Sequence, residues 1–257
     1  MYRVRANNTA TASTNKIHDD DVARQYGFSG GLVPGVDVYA YMTYPVVARF
    51  GRAFLERGTM HARFRRPVYD GRFVTIDTTG TDELSLVVRD DTGEECAAGR
   101  AGAEPSAPLP SVEKYPRAEL PNPAPPATAE ALRATEPLGT VDTVFDAEKA
   151  GEYLDAVRET HPMYALEGIA HPGWLLRRAN RILARNVVLG PWIHVESTVE
   201  HFGLVRDGDK VSTLGHVTDL FERGGHEFVT LDILVVANGN TPVMRVDHTA
   251  IYHPRAR

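Results

Sequence analysis

The densest group of chemically versatile residues lies early in the chain. It runs Asn15-Lys16-Ile17-His18-Asp19-Asp20-Asp21-Val22-Ala23, then Tyr26-Gly27-Phe28-Ser29-Gly30-Gly31-Leu32-Val33-Pro34-Gly35. An imidazole titrates near neutral pH and can take a proton from water or from a carbon beside a carbonyl. A nearby carboxamide can orient water or the ring. Amides at a glycine-rich entry into a helix have no partner within it, sit at its positive end and are open to close approach. Such a set suits proton transfer next to a carbonyl whose oxygen gathers negative charge. Ser13 can hold a water, but its hydroxyl stays protonated near neutral pH and cannot replace a carboxylate as base. Structural roles compete: Asn15 can close a turn, Asp20 can cap a short helix Asp21–Tyr26, and the glycines can serve only the sharp turn.

The elements that must position these residues follow from periodicity. Val36, Tyr39, Ala40, Thr43, Val47 and Phe50 recur at helical spacing, and Pro45 should kink or restart that helix. Strands are expected at about Thr59–Val68, Arg72–Thr79, Glu83–Arg89 and Glu94–Gly102. Nine of the 17 prolines then fall between Pro105 and Pro137, a run that reads as an extended connector with a helical turn at ATAEALRA. Beyond it the order repeats. Gly31-Leu32-Val33 returns as Gly168-Ile169-Ala170, and Val68-Tyr69-Asp70-Gly71 as Val205-Arg206-Asp207-Gly208, both 137 residues on. A helix follows Pro172-Gly173, with Trp174, Leu175, Ala179, Ile182 and Leu183 on one face. Strands follow at about Trp192–Phe202, Lys210–Glu222, His226–Ala237 and Val243–His253. In the third, Val229, Leu231, Ile233 and Val235 alternate with Thr230, Asp232 and Leu234, as a sheet with one buried face requires. The expected class is α+β: a tandem duplication, each copy a central helix wrapped by an antiparallel sheet. Its parts are an N-terminal module 1–104, a connector 105–138 and a C-terminal module 139–257.

The first segment resembles the MaoC-like dehydratase and R-specific enoyl-CoA hydratase family, whose fold is the hotdog. The family pattern is Asp-x-Asn-Pro-x-His-x-Asp, then Ala, Gly-Phe and a turn ending His-Gly. Asn15, His18, Asp20, Ala23, Gly27, Phe28 and Gly35 match it with spacing preserved. The family's catalytic Asp falls on Ser13, its Pro on Lys16 and its final His on Pro34. In the second copy, Glu159-Thr160-His161-Pro162-Met163-Tyr164 looks like a degenerate version, with His171 at the position of Pro34.

The resemblance implies a double hotdog that hydrates or dehydrates an acyl thioester of the enoyl-CoA or 3-hydroxyacyl-CoA type, as a lyase without a cofactor. His18 would be the general base and Asn15 would orient water or the ring. Ser13, Gly31, Leu32 and Gly35 would contact substrate, the Gly31–Gly35 turn forming the oxyanion site. Glu159 and Asp20 are the candidates for the missing carboxylate, whereas His161, Tyr164 and His171 read as remnants or packing residues. Tyr39, Tyr41 and Trp174 read as core residues, one of which could line an acyl tunnel. Arg63, Arg65 and Arg66 could grip the phosphates of coenzyme A or form an outward sheet face. Arg177, Arg178, Arg181 and Arg185 read as a solvated or partner-facing helix stripe. Thioester hydrolysis on the same fold and a non-catalytic acyl-binding or partner subunit are the alternatives.

Composition sets the outer bounds. The 257 residues are 42% hydrophobic and 24% charged, which fits a globular protein. One cysteine, Cys96, rules out a disulfide framework. No HExxH or regular histidine cluster calls for a metal. The net charge of −6 without a long basic run argues against nucleic acid. No stretch suits a membrane span, and MYRVRANNTATASTN lacks the apolar core of a signal peptide. A cytoplasmic location is expected, and homodimerisation stays open.

Overall fold

The computed structural model describes residues 1–104 and 108–255, so the expected start of the connector, at 105–107, lies outside the described residues, as do 256–257. Ten strands form one antiparallel sheet. The first half gives β1 (Tyr2–Arg5), β2 (Thr59–Phe64), β3 (Phe73–Thr79), β4 (Glu83–Arg89) and β5 (Glu95–Gly102). The second gives β6 (Val141–Val144), β7 (Ile193–His201), β8 (Lys210–Arg223), β9 (His226–Ala237) and β10 (Thr241–His253). Their order is β1-β3-β4-β5-β2-β7-β10-β9-β8-β6. The halves therefore mirror each other about the β2–β7 pair, where Met60 faces Val199 and Ala62 faces Ser197.

The helices are α1 (Asp20–Gln25), α2 (Gly35–Phe50), α3 (Arg52–Arg57), α4 (Ala129–Ala134), α5 (Ala147–Ala156), α6 (Met163–Glu167) and α7 (Pro172–Asn186). The two long ones, α2 and α7, lie against each other and against the sheet. Tyr39, Tyr41 and Met42 of α2 and Leu176, Ile182 and Leu183 of α7 are fully buried there. Burying such side chains contributes roughly 1.5–3 kcal/mol each. Pro45 does not restart the helix: α2 runs unbroken to Phe50, with Val46 and Val47 buried just beyond the proline. The break falls at Gly51, before α3.

The duplication is physical as well as textual. The Val33 amide donates to the Val68 carbonyl at 2.8 Å, and the Ala170 amide to the Val205 carbonyl at 2.9 Å. Isolated bridges join Leu32 to Tyr69 and Ile169 to Arg206. Both pairs of contacts keep the offset of 137. Asp70 accepts from the Asn8 amide at 2.8 Å, and Asp207 from the Ala147 amide at 2.9 Å, so the same carboxylate pins the same turn twice.

One expectation about the sheet needs correction. Leu234 is not on a solvent face. With Leu214 and Val236 it is buried under Tyr115 and Val112 of the connector. The Tyr115 hydroxyl donates to Asp232 at 2.9 and 3.0 Å, which holds the strap in place. Strand β9 is therefore covered on both faces over this stretch, and a simple alternation could not show it.

Candidate functional site

The segment around His18 is a laced loop. The Asn15 side chain caps a short 3-10 turn at Lys16–His18. Its Oδ1 accepts from the Ile17 amide at 3.3 Å and the Trp192 amide at 3.1 Å, and its Nδ2 donates to the Trp192 carbonyl at 2.9 Å. Asn15 thus pairs with the backbone just before β7 as another strand would, and ties the two halves together. Its Nδ2 also lies 3.3 Å from Nε2 of His18. The Nδ1 of His18 is 2.7 Å from the Leu32 carbonyl. A carbonyl can only accept, so Nδ1 carries the proton and Nε2 presents its lone pair. Burial lowers the pKa of this ring below 6.5, opposed by the Leu32 bond and the negative Asp37. The imidazole is neutral near pH 7, and its one basic nitrogen, Nε2, accepts from Asn15 Nδ2, a long bond that an incoming proton donor can replace.

His18 borders a cavity of about 450 Å³. From the first half, Asn15, His18, Leu32 and Gly35 line it; from the second, Trp192 and His194. Arg63, Arg65, Arg66, Arg223 and His226 also line it. Arg63 lies 3.6 Å from Glu196, Arg65 2.8 Å from Glu95, and Arg66 pairs with Glu94. Arg223 has no acidic partner among the described residues.

The expected oxyanion amides sort differently from the sequence reading. The Gly31 amide is committed to Oδ1 of Asp20 at 2.7 Å, the Leu32 amide to the Ile17 carbonyl and the Val33 amide to Val68. Gly31 is needed for another reason: a Cβ there would sit 2.1 Å from the His18 carbonyl oxygen. From Gly31 to Val36, the amides without a partner among the described residues are those of Gly35 and Val36, at the start of α2, where no side chain caps the helix. Ser13 does not line the cavity, and its Oγ accepts from the Asn15 amide at 3.1 Å. Neither suggested carboxylate meets His18. Asp20 holds the glycine turn, and the helix cap is Asp19, which accepts from the Asp21 and Val22 amides.

Glu159 is taken by the second half. Its Oε2 lies 3.2 Å from Nε2 of His171, and both side chains are almost wholly buried. The Nδ1 of His171 accepts from the Gly173 amide at 3.0 Å, so Nε2 carries the proton and donates to Glu159. Both ring nitrogens are therefore committed within the second half. Burial alone would raise the Glu159 pKa. The bonds from His171 and from the His161 and Thr160 amides outweigh it and hold the carboxyl below its usual value. Tyr164 is buried against the His171 ring at 4.7 Å between centroids, and the His161 ring stands edge-on to Tyr164.

The arginine stripe is also corrected. Arg181 and Arg185 are exposed, but Arg178 is buried over the Trp174 ring. Arg177 pairs at 2.7 Å with the buried Asp37 of α2, so it joins the two central helices. Tyr39 and Tyr41 are buried and Trp174 packs against Phe145, and none of the three lines the cavity.

Among the described residues, no three His, Cys, Asp or Glu side chains are grouped to hold a metal, and no helix is long and apolar enough to cross a membrane. The residues that sequence reasoning missed are Trp192, His194, Arg223 and His226, all contributed to the first half's cavity by the second.

By sequence, no family model and no curated protein matches the chain. By structure, it is similar to a protein of Chloroflexus aurantiacus assigned as a MaoC domain dehydratase, with 12% identity and a TM-score of 0.63, covering 100% of this chain and 94% of that one. It is similar to a Mycobacterium tuberculosis protein with a double hotdog fold, with 14% identity and a TM-score of 0.60, covering 97% and 93%. It is also similar to a Lactobacillus plantarum protein assigned as an oleoyl thioesterase, with 13% identity and a TM-score of 0.53, covering 99% and 96%. One architecture thus carries two reaction types, so the reaction must be argued from the site. The chain is a double hotdog protein by fold.

Proposed function

We propose that the cavity beside His18 binds an acyl thioester of the enoyl-CoA or 3-hydroxyacyl-CoA type, and that the protein is a cofactor-independent hydro-lyase with His18 as general base. The observation that carries this reading is that His18, whose Nε2 is unprotonated, and Gly35, whose amide is uncapped at the start of α2, line the same cavity.

In the hydration direction, Nε2 takes a proton from water while the water oxygen bonds to the β-carbon. The double-bond electrons move toward the carbonyl and leave negative charge on the thioester oxygen, which the Gly35 amide at the positive start of α2 stabilises. The imidazolium then returns its proton to the α-carbon and the carbonyl re-forms, so one water is added in total. Because one group both takes and returns the proton, the sequence needs no carboxylate where Ser13 stands. Asn15 fixes the approach to Nε2 through its hold on Trp192. The arginines beside the cavity, with Arg223 unpaired, favour an anionic handle such as the phosphates of coenzyme A.

Thioester hydrolysis is less well supported, because both suggested carboxylates are committed elsewhere. The test is turnover of a 2-enoyl-CoA panel, followed by the absorbance of the conjugated thioester together with thiol release. Loss of the conjugated absorbance without thiol, abolished in His18→Ala, is expected. Unchanged turnover in that variant sinks the assignment, and thiol release would move the protein to the thioesterases. Binding of CoA esters without turnover would make it a non-catalytic acyl-binding or partner subunit.

A further inference from the structure

Helix α7 contributes Asn180 to the cavity wall. Neither polar atom of this side chain has a hydrogen-bond partner among the described residues. Oδ1 is buried, whereas Nδ2 remains accessible. Turning the amide over would bury two unpaired N–H donors in place of one carbonyl oxygen, so the donor end belongs on the open side.

The packing of the two central helices locates this amide. Oγ1 of Thr43 lies 3.4 Å from Nε2 of His171, and Arg177 pairs at 2.7 Å with Asp37. From the first contact to the second, six residues back along α2 (43 to 37) match six forward along α7 (171 to 177), the register of antiparallel neighbours. Three more on each helix (37 to 34, 177 to 180) set Pro34 opposite Asn180. The internal repeat gives the same pair, because the offset of 137 relates Thr43 to Asn180 and Pro34 to His171. Both Pro34 and Asn180 line the cavity. At the sealed end, Thr43 has the His171 ring beside it and donates to the Ala40 carbonyl at 2.7 Å. At the open end, Pro34 offers Asn180 no polar side chain, and the next residue is Gly35 with its uncapped amide.

We infer that Nδ2 of Asn180 donates a hydrogen bond to the carbonyl oxygen of the bound acyl group, beside the Gly35 amide. The inference rests on the proposed thioester site and adds to it a substrate-contacting residue from the opposite module. The chemistry selects the carbonyl. A carboxamide N–H only donates, and in an unsubstituted acyl thioester the sulfur is a weak acceptor and the carbonyl oxygen the strong one. That oxygen gathers negative charge as water adds, so the bond strengthens where the reaction needs it. The base then comes from the first half and this donor from the second.

The probes are butyryl-CoA and S-butyl-CoA, a thioether that lacks only the carbonyl oxygen, with binding measured by calorimetry. Both carry the same coenzyme A handle, so effects on the arginines cancel in the ratio. Wild type should prefer the ester, and Asn180→Leu should cut that preference roughly tenfold, the worth of one good hydrogen bond. Asn180→Asp keeps the shape and loses the donors. It should cut the preference at least as far, and it serves if the leucine variant does not fold. The carbonyl stretch of isotope-labelled butyryl-CoA should lie lower in the wild-type complex than in either variant, a shift that a purely structural role would not produce. An ester preference or a carbonyl stretch unchanged in a folded variant overturns the inference and leaves the thioester site standing. Lost discrimination between butyryl-CoA and 3-hydroxybutyryl-CoA, with the ester preference intact, would instead place the amide on the β-oxygen. If wild type binds neither compound, the thioester site itself fails and the inference falls with it.

Discussion

Pro34 and His171 stand 137 residues apart, at the entrances of α2 and α7, and act oppositely there. His171 turns Nδ1 onto the Gly173 amide and closes the start of its helix. Pro34 offers no side-chain acceptor and leaves the Gly35 and Val36 amides uncapped, with Gly35 on the cavity lining. At corresponding places, one half keeps an uncapped, positively polarised helix start and the other caps its own. In the sequence, Pro34 looked like the loss of a family histidine. In the fold, it leaves the start of α2 without a side-chain cap.

Pro34→His should therefore close the first site. A histidine there can cap α2 as His171 caps α7, so stability should rise by about 0.5–2 kcal/mol while butyryl-CoA binding falls. Urea denaturation and calorimetry check the two halves of this expectation. A variant that binds the ester as tightly as wild type would show that the open amides do not contact the ligand.

The opposite lesion is His171→Ala. It uncaps α7 and strips the buried Glu159 carboxylate of its ring partner, while the His161 amide bond remains. Removing one member of a buried pair costs roughly 3–5 kcal/mol. A urea midpoint lowered by that much, partly regained in the double variant His171→Ala/Glu159→Gln, is the expected result. Equal stability of wild type and the single variant would refute the closed-site account.

If His18 is the base, activity follows its deprotonated fraction. Burial puts that pKa below 6.5, so kcat/KM should be flat near pH 7 and fall as pH drops through a value below 6.5. Asn15→Asp should shift this limb upward, because a carboxylate beside Nε2 favours the imidazolium. It should also cost about 1–3 kcal/mol, since Trp192 then loses the donor for its buried carbonyl. A pH-rate profile whose acid limb lies above 6.5 in wild type, or does not move in the variant, counts against the assignment of His18.

The architecture was legible where local chemistry repeats. Asp70 and Asp207 each fasten their turn to a backbone amide about 60 residues earlier, Asn8 and Ala147, a task that needs that residue type at that place, so the offset of 137 shows through. The strands of the second half alternate strongly enough to be bounded within a residue or two. The short edge strands Tyr2–Arg5 and Val141–Val144 have only four residues each, too few for a period to stand out. At the site, His18 and Asn15 carried a recognisable spacing, but which amides are free depended on the partners that Asp20, Ile17 and Val68 supply after folding. Trp192 and His194 were out of reach for the same reason. They meet the first half through the pairing of β2 with β7, some 135 residues apart at Ala62 and Ser197, and no local pattern encodes that contact. Arg177 shows the converse: a helical stripe of arginines looked solvated until Asp37, 140 residues away, took one of them.

Acid stability tests the buried histidines as a group. His194, His201 and His248 are buried and neutral. Burial pushes His201 and His248 down to about 3, with His171 adding to the effect on His201, and holds His194 well below 6.5, with His248 adding to it. In the unfolded chain each titrates near 6.5. Below that pH the unfolded state binds protons that the folded state refuses, so these residues leave stability untouched above about 6.5 and erode it as pH falls toward 3. Each contributes a limiting slope of about 1.4 kcal/mol per pH unit, and the three together about 4. Urea midpoints between pH 7.5 and 4.5 should be level at first and then drop steeply. Replacing His201, whose ring has no hydrogen-bond partner among the described residues, by Phe should remove one third of that slope and leave the hydrogen bonds of Ser197 with His194 and His248 intact. An unchanged slope in His201→Phe would mean that this ring is already protonated in the folded state, contrary to its burial against Phe54.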